Sequence, residues 1–180
     1  MRIHKSLSLF FLIIFSSYSF SQSLNMTLVG EYYSTWTNSR GNDVWGWVDV
    51  NGSEYAIVGL RDRVSVVNIS NPATPFEEFY IDESAYLSNW RDIKTWGNYA
   101  YVTTEAFEGL LIIDLTDMTG GTYWRVSTFT DPNSSNSEYF LSARNLYIDE
   151  NGIAYIFGAM DPALPVNDPS HPSGVVVLDV

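Results

Sequence analysis

A three-part plan repeats along this chain of 180 residues. An alanine returns at positions 56, 100 and 154, and an Asn or Asp closes an apolar run at 68, 114 and 179. The first interval is 44 residues in one series and 46 in the other; the second is 54 in the alanine series and 65 in the other, where an insertion, Asp161–Ser173, lengthens it. A step of about 45 residues is the length of one four-stranded propeller blade. A unit of that size hides its apolar flanks only by standing against a neighbour, so the repeats must pack side by side.

Each repeat reads as a succession of short strands. The runs Val44–Val50, Glu54–Leu60 and Val64–Ser70 are rich in Val, Ile, Tyr and Trp and bounded by turn residues. Trp90–Trp96, Tyr99–Val102 and Leu110–Thr116 follow the same plan, as do Ala143–Ile148, Ile153–Gly158 and Val175–Val180. The first two strands of each repeat meet at Asn51-Gly52, Gly97-Asn98 and Asn151-Gly152, pairs suited to the positive φ of a primed two-residue turn. The third runs are almost wholly apolar, as in strands covered on both faces. A more polar outer strand is expected at Phe76–Ile81 and Tyr123–Phe129, and Leu28–Tyr33 reads as a further outer strand without its own blade. The fold class is therefore all-β: a β-propeller of four-stranded blades, about three of them present, with repeats at 44–81, 90–129 and 142–180. Propellers have about four to eight blades, so the chain is expected to be the N-terminal part of a larger ring.

Residues 1–21 have a different character. Arg2 and Lys5 precede an apolar run, Leu7–Phe15, and then small polar residues with Ser19 and Ser21 ahead of Gln22. That order is the mark of a cleavable export signal, and the run falls short of the roughly 20 apolar residues that cross a bilayer. Export to the cell surface or the extracellular space is the expectation, with 22–180 as the mature propeller segment and no transmembrane segment within it. The segment takes two of the 9 basic residues and no acid, so its removal moves the net charge from −12 to −14. Such a surface repels phosphate backbones, which argues against nucleic acid as a partner. Absence of cysteine rules out disulfides and thiolate chemistry in this stretch, leaving stability to core burial.

The strings Asn42–Trp47 (NDVWGW), Glu54–Leu60, Trp90–Lys94 (WRDIK), Gly97–Val102, Glu105-Ala106 and Ile112–Leu115 resemble the choice-of-anchor B family of LVIVD-repeat proteins. The resemblance runs from about Leu28 to Val180. It implies an exported bacterial propeller held at the cell surface by a device C-terminal to these residues. It implies no activity. This chain departs from the family pattern at Arg144, where a His is common, and at Phe107-Glu108-Gly109, which replaces a Gly-His-Gly-like turn.

Three sets of residues carry candidate chemistry. Arg91, Asp92 and Glu105 fall near strand ends, where propeller side chains reach the channel or upper surface; a carboxylate pair there could act as general acid and base, and an ion pair fixing blade packing is the competing reading. Asp161, Asn167 and Asp168 offer oxygen ligands for Ca²⁺ without the spacing of an EF-hand. Asp49–Gly52 and Asp149–Gly152 also look calcium-like but sit where hairpins must turn. Trp45, Trp47, Trp90, Trp96 and Trp124 could stack on sugars, although the repeat positions of Trp45 and Trp90 suit packing between blades. His171 stands alone in the insertion, without triad or metal partners. The functional expectation is a surface interaction module for an extracellular protein or glycan. An extracellular hydrolase or lyase using Asp92 and Glu105 is the alternative, and a calcium-stabilised structural repeat the second.

Overall fold

A computed structural model describes residues 26–33, 40–82, 86–130, 133, 135, 137–161, 163–165, 168 and 174–180. The proposed signal, Asn167, His171 and most of the insertion lie outside the described residues. Within them every regular element is a strand. The first blade holds β1 (Gly41–Val48), β2 (Glu54–Leu60), β3 (Arg63–Asn68) and β4 (Phe76–Asp82); the second holds β5 (Arg91–Trp96), β6 (Tyr99–Thr104), β7 (Leu110–Asp114) and β8 (Tyr123–Val126). A two-stranded hairpin, β9 (Thr128–Thr130) with β10 (Ser137–Tyr139), precedes the third sheet of β11 (Asn145–Ile148), β12 (Ile153–Phe157) and β13 (Val175–Asp179). All pairings are antiparallel between consecutive strands. The architecture is that of successive β-propeller-like blades whose ring is not closed.

Pairing register confirms the repeat. Tyr55, Tyr99 and Ile153, each preceding its alanine, face Asn68, Asp114 and Asp179 across the second and third strands. Ala100 and Ala154 are fully buried at the two junctions between blades. The first junction packs Tyr55, Ile57, Val64, Val66, Phe79 and Ile81 against Ile93, Ala100, Val102, Leu111, Ile113 and Leu115. The second sets Tyr101 and Leu110 against Leu146, Ala154, Ile156 and Val176. The inner strands β1, β5 and β11 are adjacent, which places the starts of all three at one edge of the assembly.

Four sequence expectations need correction. The hairpins at Asn51-Gly52 and Asn151-Gly152 are not two-residue turns. Asp49 N donates to Ser53 O, Gly52 N donates to Asp49 O, and Gly52 takes φ +85°. This is a three-residue loop ended by a left-handed glycine, and Asp149–Ile153 repeats it. The aspartate decides the outcome: its Oδ1 accepts from the amides two and four residues on, in both loops. Gly97-Asn98 does form the two-residue connection, between the paired Trp96 and Tyr99. Residues 26–33 form no strand; they lie as a strap on the first blade, with Gly30 against the Pro72 carbonyl. The stretch Tyr123–Phe129 breaks at Ser127, because Phe129 leaves the blade to stack on buried Phe140, with centroids 5.0 Å apart. Trp90 is not the counterpart of Trp45. Register aligns Asn42-Asp43-Val44 with Arg91-Asp92-Ile93 and Arg144-Asn145-Leu146, which leaves Trp90 exposed ahead of β5.

Candidate functional site

The candidate residues gather where the inner strands begin, and there each reaches a neighbouring blade. Asp43 Oδ2 on β1 accepts from the Ile93 amide on β5 at 2.8 Å. One blade further, Asp92 Oδ2 accepts from the Leu146 amide on β11, again at 2.8 Å. Donor and acceptor occupy equivalent positions at both junctions. The inward amides of an inner strand have no further strand to bond with, and a carboxylate from the preceding blade satisfies one of them. Asp92 also takes the Lys94 ammonium on Oδ1 and the Asn145 amide group at 3.5 Å on Oδ2. Lys94 lies over the Trp45 ring at 4.4 Å, which ties the same carboxylate to the first blade.

Arg91 and Glu105 are engaged in the same way. Buried Arg91 donates Nε to Leu60 O at 2.6 Å and its terminal nitrogen to Arg61 O at 3.2 Å, both at the turn between β2 and β3. Arg144, its counterpart, pairs with Glu105 at 2.9 Å; Glu105 stands in the second blade where Arg61 stands in the first. Backbone bonds reinforce both junctions: Ser88 N donates to Arg61 O and Ala143 N to Thr104 O. Glu108, in the turn that departs from the family pattern, is a buried carboxylate paired with Arg125 at 3.2 Å. Arg125 donates in addition to Asp82 O of the first blade. Asp92 and Glu105 thus share one edge, each facing a cation and the next blade.

The tryptophans of the inner strands serve the junctions too. Trp47 Nε1 donates to Gly97 O in the first hairpin of the second blade. Its counterpart Trp96 lies so close to Gly152 in the third that a Cβ there would stand 2.6 Å from Nε1. Trp45 Nε1 donates to Thr95 Oγ1 at 3.1 Å. Trp124 is exposed on β8 beside Tyr99, with centroids 6.3 Å apart.

The calcium-like loops use their own carboxylates. The amides of Ser53 and Asn51 hold Asp49 below the ordinary carboxylate value, and those of Ile153 and Asn151 do so for Asp149. Hydroxyl bonds from Thr119 and Thr122 do the same to Asp117 in the loop between β7 and β8. Asp161 Oδ1 accepts from Ala163 N, and Asp168 N donates to Pro165 O. Among the described residues no three acidic or histidine side chains converge as a metal site would require.

One cavity, of about 580 Å³, lies on the face of the first blade turned away from the second. Ala56, Val58, Val67 and Ile69 floor it, and Gly30–Tyr33 form its rim. Two of its lining groups, the buried Ser65 hydroxyl and Tyr32 Oη, donate to Glu77 on β4, the second at 3.0 Å. Partial burial and the bond to Glu77 raise the Tyr32 phenol above its ordinary value. Neither Asp43 nor this cluster stands out from sequence motifs, because the first hairpins differ in length: Asp43 lies 13 residues before Ala56 and Asp92 only 8 before Ala100.

Comparison with known proteins adds one assignment. The LVIVD repeat matches residues 48–82 and 89–120, which span β2–β4 and β5–β7. No curated protein and no solved structure matches the chain. The chain carries LVIVD repeats, and they coincide with the first two of its blades.

Proposed function

We propose that this protein is an exported, non-enzymatic repeat scaffold of the choice-of-anchor B type that binds an extracellular protein or glycan. The observation that carries this reading is the use made of its charged strand ends. Asp43, Arg91, Asp92, Glu105 and Arg144 all bridge blades, whereas a general acid and base must face a substrate-sized opening. The cavity on the first blade is floored by aliphatic side chains, and the carboxylate among its lining residues, Glu31, already accepts from Tyr33 Oη. The Asp161–Ser173 insertion is left to carry recognition.

The test pairs binding with turnover. Purified protein is screened on a glycan array and against chromogenic glycosides and unsaturated-uronide-forming polysaccharides. A version with 161–173 shortened to a tight turn should lose binding and keep its melting temperature. Turnover abolished by Asp92→Asn or Glu105→Gln would overturn the proposal in favour of a hydrolase or lyase.

A further inference from the structure

The edge where the inner strands begin carries aromatic side chains that the repeat does not explain. Trp90 stands immediately ahead of β5 and is 64% exposed, the most exposed of the described tryptophans. Its position in the other blades is held by Gly41 and Ala143, so blade geometry needs no large ring there. Trp45 and Trp47 bond their indole N–H groups to the second blade, whereas that of Trp90 has no partner among the described residues. Phe107 is exposed in the loop Glu105–Gly109, which is longer than its counterpart in the first blade, Arg61-Asp62. Tyr86, also exposed, meets Phe107 edge to face with centroids 5.1 Å apart.

The backbone beneath these rings is fixed. The buried Ser88 hydroxyl accepts from Trp90 N at 3.0 Å and donates to Trp90 O at 2.9 Å, and Glu105 N donates to the same carbonyl at 3.3 Å. Ser88 N in turn donates to Arg61 O of the first blade. Residues 86–90 thus run beside 105–107, with Tyr86 against Phe107 at one end and Trp90 against Glu105 at the other. Four residues of chain reach at most about 14 Å, the length of a di- or trisaccharide. Glu105 also holds Arg144 Nε at 2.9 Å, and the Arg144 side chain is 71% exposed, so a carboxylate and a guanidinium stand next to Trp90. This edge lies at the strand ends, off the faces through which blades pack, and it stays open however many blades a ring holds.

Rings set among polar groups suit a sugar. The C–H face of a pyranose lies against the negative face of an aromatic ring, and its hydroxyls take a neighbouring donor and acceptor. The core of a protein interface is instead a dry apolar cluster depleted of charge. The charge of the chain narrows the class: a net −12, with Asp62, Asp82 and Glu105 at this edge, repels uronate and sulfate chains. We propose that Trp90, Tyr86 and Phe107 form a stacking platform for an uncharged glycan, whose hydroxyls bond to Arg144 and Glu105. This rests on the reading of the protein as a binding scaffold, and it gives that reading a ligand class and a platform.

The test is an array of uncharged hexose and N-acetylhexosamine oligosaccharides beside uronate and sulfated ones, followed by titration calorimetry with the strongest ligand. The purified protein should bind uncharged oligosaccharides with an affinity that salt barely changes. Trp90→Ala should weaken binding about thirtyfold or more, as loss of a central anchor does. Trp90→Phe keeps a ring face and should recover most of the affinity, and Phe107→Ala should cost about tenfold. These side chains are exposed, so circular dichroism and melting should match the parent. A parent that binds no glycan, or only charged ones, overturns the proposal, as does a Trp90→Ala variant that binds as the parent does. Binding lost on shortening 161–173 but unchanged in Trp90→Ala overturns the platform and leaves the scaffold reading standing. Turnover abolished by Asp92→Asn overturns the scaffold reading whatever Trp90 does.

Discussion

Replacing Asp92 by alanine removes an acceptor that two blades share. The Leu146 amide on β11 loses a charge-assisted bond of 2.8 Å at a partly buried junction. Bonds to charged groups contribute about 1.5–3 kcal/mol, and a stranded buried donor costs about 1–3 kcal/mol. The Lys94 contact is partly solvated, with 17% of each side chain exposed, so its share is small. The expected loss is about 2 kcal/mol, which for a chain of this size lowers the melting temperature by about 4–8 °C. Asp92→Asn keeps an acceptor oxygen for Leu146 and loses only the charge, so it should fall by about half as much. Asp43→Ala removes the same bond at the first junction and should match Asp92→Ala. Thermal and urea unfolding of the three variants measures this. A change within about 0.5 kcal/mol for Asp92→Ala, the range of an ordinary surface substitution, would refute the idea that these carboxylates hold blade to blade.

Ile57→Ala empties a fully buried site in the first junction and should cost about 2–5 kcal/mol in urea unfolding. Gly52→Ala and Gly152→Ala both force an L-residue to φ above +80°, at about 1 kcal/mol each. Only Gly152 adds a clash, with Trp96 and the Val180 carbonyl, so its variant should melt several degrees lower than that of Gly52. Asp49, Asp117 and Asp149 are held below the ordinary carboxylate value of 3.8 in the folded chain. Their contribution is complete above that value and is lost as pH falls through the lower folded value. Acid titration of stability should therefore steepen below about pH 4, and the slope should flatten in the Asp149→Asn variant.

The repeat was legible because it rests on spacing and side-chain type. The alanines and the Asn or Asp residues fall in register across all three sheets. What the sequence concealed depends on atoms that meet across blades. Asp43 escaped notice because its partner is a backbone amide 50 residues away, which leaves no side-chain signature. Asn51-Gly52 suggested a primed turn because the pair favours one, but Asp49 lies two residues earlier and its carboxylate captures two amides. Trp90 and Trp45 share a residue type but not a position, since the equivalence runs through Asp43 and Asp92. The outer strand Tyr123–Phe129 read as one piece, since nothing local says that Phe129 will leave to meet Phe140.

The departures from the resembled family gain a physical sense at the same junctions. Arg144 sits where Arg91 sits one blade earlier. Arg91 clamps the preceding blade through two carbonyls; Arg144 reaches the same corner of its own preceding blade through the Glu105 carboxylate. Glu108 likewise stands in the altered turn, buried against Arg125, which bonds onward to Asp82 O. A buried ion pair offers little net stability over an apolar pair, but breaking one side of it strands a charge. Arg144 and Glu108 thus each have a partner in place, Glu105 and Arg125. Charges committed to neighbouring blades fix how the blades sit, and they leave the ends of β5 and β6 serving the junctions between them.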